Sequence, residues 1–122
     1  MFKRIDHVEI VPGNLERSLK FYTEILGFKV KKRMETIAWI ELNDIEIEMF
    51  MVKNPTPVSP DKSQIGYRRI ALEVEDVDKA VEYLKTRGVE VEVYQTPGPP
   101  ETSKRAKIKD PDGISIELTP PE

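Results

Sequence analysis

Residues 5–28 read Ile-Asp-His-Val-Glu-Ile-Val-Pro-Gly-Asn-Leu-Glu-Arg-Ser-Leu-Lys-Phe-Tyr-Thr-Glu-Ile-Leu-Gly-Phe. The first seven are short and rich in β-branched residues, and Pro12-Gly13 stops the run, so a strand is predicted over Ile5–Val11. Asn14 is suited to cap a helix, because its side-chain oxygen can accept a backbone N–H of the first turn. Leu15, Leu19, Tyr22 and Leu26 then recur at helical spacing, with Phe21 and Ile25 widening the stripe. Gly27 ends the helix as a left-handed cap. Three more strands are predicted downstream, over Phe28–Arg33, Thr36–Leu42 and Ile45–Val52, with Asn43-Asp44 as the last turn. The first half is therefore a βαβββ unit.

The same order returns in the second half. Residues 53–66 contain three prolines and no periodicity, and read as a linker. Beyond it come a strand over Tyr67–Val74, a cap at Asp76, a helical stripe of Val77, Ala80, Val81 and Leu84, and a stop at Gly88. Strands follow over Val89–Tyr94, Lys104–Lys109 and Ile114–Leu118. A proline-rich loop, Gln95–Ser103, stands among them as a stiff connection or a lid, and the turn Asp110-Pro111-Asp112-Gly113 joins the last two. A shift of 62 positions lays His7 on Arg69, Ile10 on Leu72, Leu19 on Val81 and Phe21 on Tyr83; a shift of 69 lays Ile45, Ile47, Glu48 and Met49 on Ile114, Ile116, Glu117 and Leu118. Caps, glycines and a glutamate match as well as apolar residues, which indicates an internal duplication. The expected fold is α+β. Two tandem βαβββ units, about 4–52 and 67–119, form a curved eight-stranded mixed sheet, a cup with helices on its outer face.

Composition narrows the chemistry. The chain has 122 residues, 39% apolar and 34% charged, with a formal charge of −3 and interleaved signs. Nothing in that pattern suits nucleic acid. The absence of cysteine excludes disulfides, thiolate catalysis and cysteine–zinc sites. No apolar run approaches the roughly 20 residues that span a bilayer, and the first residues lack a signal-peptide apolar region. A cytoplasmic protein without membrane or nucleic-acid partners is the expectation.

Alternation along the strands sorts the side chains into two faces. Val8 and Ile10 are expected under the helix, with His7 and Glu9 opposite. Ile45, Ile47, Met49 and Met51 are expected on the helix side, with Glu46, Glu48 and Phe50 opposite. In the second unit Ile70, Leu72 and Val74 face the helix, and Tyr67, Arg69, Ala71 and Glu73 face away; Glu117 faces away from the last strand. The polar residues that correspond through the repeat are His7, Glu48, Arg69 and Glu117. Carboxylates gathered in a partly dry space need a cation or a proton. The sequence offers two: a bound metal, or Arg69 itself.

Ile5-Asp6-His7-Val8, the run from Asn14 to Tyr22, Leu26-Gly27-Phe28, and Asp110-Pro111-Asp112-Gly113 with Ile116-Glu117-Leu118 together resemble the vicinal oxygen chelate superfamily. Its members include glyoxalase I, methylmalonyl-CoA epimerase, extradiol dioxygenases, fosfomycin-resistance enzymes and bleomycin-binding proteins. The resemblance implies metal ligands from the first and last strand of each unit, here His7, Glu48, Arg69 and Glu117. Arg69 stands where the family usually has a second histidine, and arginine stays protonated and cannot ligate. His7, Glu48 and Glu117 remain, a set that suits Zn, Ni, Co, Mn or Fe without choosing among them.

Two functions follow from the resemblance. In the first, the protein is a metal-dependent lyase or isomerase of the glyoxalase or epimerase type. It acts on a small substrate with vicinal oxygens through an enediolate, with Glu48 or Glu117 as the base. In the second, Arg69 replaces the metal, and the protein sequesters a small organic ligand as the bleomycin-resistance members do. In either, Arg69, Tyr67, Phe50 and Trp39 are the expected substrate contacts. Exposed strand edges point to a homodimer.

Overall fold

The computed structural model describes residues 1–97 and 103–121. The chain divides into two compact units, Met1–Pro57 and Val58–Glu122. In the first, β1 (Val8–Ile10) leads through α1 (Leu15–Lys20) to β2 (Lys29–Arg33), β3 (Ile37–Leu42) and β4 (Ile45–Phe50). The sheet order is β1-β4-β3-β2, with β1 parallel to β4 and the other pairs antiparallel. The second unit repeats this with β5 (Ile70–Glu73), α2 (Val77–Thr86), β6 (Glu92–Thr96), β7 (Ser103–Lys109) and β8 (Ser115–Thr119). Its order is β5-β8-β7-β6, and β5 again runs parallel to β8. The expected α+β architecture of two βαβββ units is thus present as two mixed four-stranded sheets.

The caps act as their chemistry dictates. Asn14 Oδ1 accepts from the Arg17 amide at 2.9 Å, and Asp76 Oδ1 accepts from the Lys79 amide at 3.0 Å. Each such cap is worth about 1 kcal/mol. Gly27 and Gly88 close the two helical segments at φ +86° and +77°, where a side chain would be strained. In the Asp110–Gly113 turn, buried Asp110 accepts from the amides of Asp112 and Ile114, each at 2.9 Å.

Several boundaries differ from expectation. The first strand is confined to Val8–Ile10, paired only with Ile47–Met49 of β4, and the fifth to Ile70–Glu73, paired only with Ile116–Thr119 of β8. Val8 is exposed rather than packed under the helix, as are Ile45 at the start of β4 and Met51 just past its end. The first helix does not run uniformly to Gly27. After Lys20 it widens into a π turn over Phe21–Ile25. There Thr23 Oγ1 donates to the Leu19 carbonyl at 2.7 Å, and the Leu26 amide reaches the Phe21 carbonyl five residues back. Strand β6 starts at Glu92 rather than Val89, since the Val89 amide is spent on the Leu84 carbonyl at the end of α2. Gln95 and Thr96 belong to β6, Pro97 follows it and Ser103 opens β7; residues 98–102 of the expected loop or lid lie outside the described residues.

Each core forms between one sheet face and its helical segment. Ile10, Leu15, Leu19, Phe21, Tyr22, Ala38, Ile40, Ile47 and Met49 are buried in the first unit. Val77, Val81, Leu84, Ala106, Ile108, Ile116 and Leu118 are buried in the second. Alternation sends the residues between them to the other face, and the polar candidates stand there.

Candidate functional site

In the first unit, strand register sets a transverse row. Glu9 faces Glu48 across β1/β4, Glu48 faces Trp39 across β3/β4, and Trp39 faces Lys32 across β2/β3. Lys32 Nζ stands over the Trp39 ring, 5.5 Å from its centroid. His7 projects to the same face as Glu9. Its Nε2 lies 3.2 Å from Glu9 Oε2 and its Nδ1 lies 2.9 Å from Asp6 Oδ2. One ligand atom each from His7, Glu9 and Glu48 falls within 4.8 Å of the others. The Asp6 hydrogen bond, followed by that of Glu9, raises the His7 pKa above its ordinary value, against the effect of desolvation; the charge of Glu48 adds to the rise.

This donor set fits a divalent metal. One imidazole and two carboxylates suit a first-row ion, and the ligating histidine of such sites usually gives its other ring nitrogen to a carboxylate. Asp6 occupies that place at His7 Nδ1.

The second unit is built differently around Glu117. Tyr94 Oη donates to Glu117 Oε1 at 2.5 Å and accepts from Arg69 Nη1 at 3.3 Å. Arg69 Nη1 stands 3.6 Å from Glu117 Oε1, and Arg105 Nη1 stands 3.6 Å from Glu117 Oε2. Arg105 also donates to Thr119 Oγ1 at 2.7 Å. Burial, then the hydrogen bond to Glu117, raises the Tyr94 pKa, so the phenol remains a donor. A recess of about 530 Å³ opens beside this cluster, lined by Ala71, Glu73, Arg105, Glu117, Thr119, Pro120 and Pro121.

The sequence-predicted residues therefore fall into two groups, each within its own unit. His7, Glu48 and Trp39 share one face of the first sheet, and half-buried Phe50 sits at the end of β4, opposite Ile37. Arg69 and Glu117 meet in the second unit. Tyr67 lies ahead of β5, outside any strand, and is fully exposed. Sequence reasoning assigned no role to Glu9, Tyr94 or Arg105. Glu9 was legible as the residue two beyond His7 on the same face. Tyr94 and Arg105 reach Glu117 through the β6/β7/β8 pairing, which no local pattern reports.

The family model of the Glyoxalase/Bleomycin resistance protein/Dioxygenase superfamily matches residues 4–118. A probable chloroplastic lactoylglutathione lyase of Arabidopsis thaliana is 33% identical over 95% of this chain, which spans 35% of that relative's length. A lactoylglutathione lyase of Neisseria meningitidis is 32% identical over 94% of this chain and 88% of its own. The crystal structure of a glyoxalase family protein from Enterococcus faecalis superposes with a TM-score of 0.83 at 28% identity, covering 96% of this chain and 97% of that one.

Proposed function

Since the chain belongs to the Glyoxalase/Bleomycin resistance protein/Dioxygenase superfamily, we propose that it is a metal-dependent lyase or isomerase acting on a small molecule with two neighbouring oxygens. The juxtaposition of His7, Glu9 and Glu48, with Asp6 behind the imidazole, supports this reading. His7 and Glu48 hold a divalent ion, one of Zn, Ni, Co, Mn or Fe. Such an ion, when bound, polarises substrate oxygens as a Lewis acid. Glu48 or Glu117 serves as the carboxylate that moves the proton. Tyr94, Arg69 and Arg105 hold the two oxygens of Glu117. Trp39, Phe50, Arg69 and Tyr67 are the proposed substrate contacts. A homodimer in the cytoplasm is the proposed working form. The unpaired edges of β1 and β5 support association, and no helix among the described residues is long and apolar enough to cross a membrane.

Elemental analysis of the purified chain, after EDTA dialysis and reloading with each candidate ion, tests the metal. Close to one ion per chain, lost in His7→Ala, is expected. The loaded protein is then offered hemithioacetals of 2-oxoaldehydes and acyl-CoA epimers, with Glu117→Gln abolishing turnover. A chain that takes up no ion under any loading overturns the reading. The Arg69–Tyr94–Glu117 cluster favours a second one for that case: a metal-free protein that sequesters an organic ligand, with Arg69 as the resident cation.

A further inference from the structure

The duplicated unit contains its own control. Positions 7, 9 and 48 of the first copy correspond to 69, 71 and 117 of the second. The first copy holds His7, Glu9 and Glu48; the second holds Arg69, Ala71 and Glu117. In both, the middle residue lies directly across the parallel strand pair from the glutamate: Glu9 opposite Glu48, Ala71 opposite Glu117. Two like charges in that relation destabilise a sheet unless something neutralises them. Among the described residues, no Lys or Arg nitrogen forms an ion pair with Glu9 or Glu48, and the His7 ring is the only partner of Glu9. The second copy has lost one carboxylate to Ala71 and gained Arg69 and Arg105 against the other. The first copy thus sets one imidazole against its two facing glutamates, where the second sets two guanidinium groups against one.

We propose that Glu9 is a metal ligand, and that His7, Glu9 and Glu48 bind the ion within the first unit while Glu117 takes no part in holding it. The inference rests on the metal-dependent reading above. In the second unit Arg69 stays protonated and cannot ligate, and Glu117 offers little as a ligand with both its oxygens already facing guanidinium groups. Glu9 returns the missing donor, two residues along from His7 and on the same face. Its carboxylate is half exposed and is aimed at His7 Nε2 at 3.2 Å, so ligation requires no rearrangement of the backbone.

The test uses the full chain and the metal alone. Mn²⁺ binding is followed by the loss of the free-ion paramagnetic resonance signal, and Co²⁺ binding by its visible absorption, for wild type and for Glu9→Gln, Glu9→His, Glu48→Gln and Glu117→Gln. Glu9→Gln and Glu48→Gln should each weaken binding at least about tenfold, a loss no smaller than that usual for residues behind the ligands. Glu9→His, which keeps a donor, should retain the ion and change the Co²⁺ spectrum. Glu117→Gln should bind within about twofold of wild type. Wild-type affinity in Glu9→Gln, or loss of the ion in Glu117→Gln, overturns this inference and leaves the metal-dependent reading standing. Failure of the wild type to bind any ion, whether Mn²⁺ or Co²⁺, or Zn²⁺, Ni²⁺ or Fe²⁺ by elemental analysis, overturns both.

Discussion

Tyr94→Phe removes one oxygen and leaves the ring in place, which isolates the contact to Glu117. The phenol donates to the carboxylate at 2.5 Å, the short end of the range for a hydroxyl bound to an anion. Hydrogen bonds to charged groups contribute about 1.5–3 kcal/mol. Glu117 keeps Arg69 and Arg105, each at 3.6 Å, after the change, and its side chain is 18% exposed, so water replaces part of what is lost. A destabilisation of about 1–2 kcal/mol is expected, or roughly 3–8 °C in Tm for a domain of this size. Urea unfolding of Tyr94→Phe, Glu117→Gln and the double variant completes the cycle, with a coupling of about 1–2 kcal/mol. Ultraviolet titration adds a second reading. The Tyr94 phenol should ionise above the ordinary tyrosine value of 10.0, and only part of that rise should vanish in Glu117→Gln, because burial is its larger cause. A phenol that holds its proton more tightly when folded contributes stability below that ordinary value, and the contribution fades as pH rises through the folded one. Additive single costs, or a Tyr94 that titrates at or below 10.0, would refute the bond.

Two further outcomes are expected. His7 is the only histidine, so one imidazole signal reports its titration by nuclear magnetic resonance; in the metal-free protein it should lie above 6.5 and fall most in Asp6→Asn, whose hydrogen bond is the leading cause. Its proton is held more tightly in the folded chain, so the associated stability is complete below 6.5 and disappears as pH climbs through the folded value; a midpoint at or below 6.5 would contradict the Asp6 and Glu9 contacts. Met49→Ala, at a position with no exposure, should cost about 2–5 kcal/mol in urea unfolding, whereas Met51→Ala, two residues along on the same side of the strand but 45% exposed, should cost well under 1 kcal/mol. Equal costs would mean that β4 does not end at Phe50.

Much of the fold was legible because its signals are local. The caps at Asn14 and Asp76, the glycines at 27 and 88, and the turn at Asp110 act through neighbours a few residues away. The repeat shows itself as two copies of the same order of such signals. Alternation also put His7 and Glu9 on one face, and Glu48 on the face opposite Met49, since strand period depends on nothing beyond the strand. Boundaries were less legible. Whether Ile5 or Val89 joins a strand depends on a neighbour or a helix end that claims the same amide.

The sequence by itself determined two βαβββ units, their helix-facing cores, and a polar face in each, carrying His7 and Glu48 in the first and Arg69 and Glu117 in the second. Only the tertiary structure decided what each of those side chains touches. Register between strands far apart in the chain set Glu9 against Glu48 and aimed Tyr94 and Arg105 at Glu117. A one-residue slip in either pairing would turn those side chains to the other face, and alternation within a single strand carries no information about that slip.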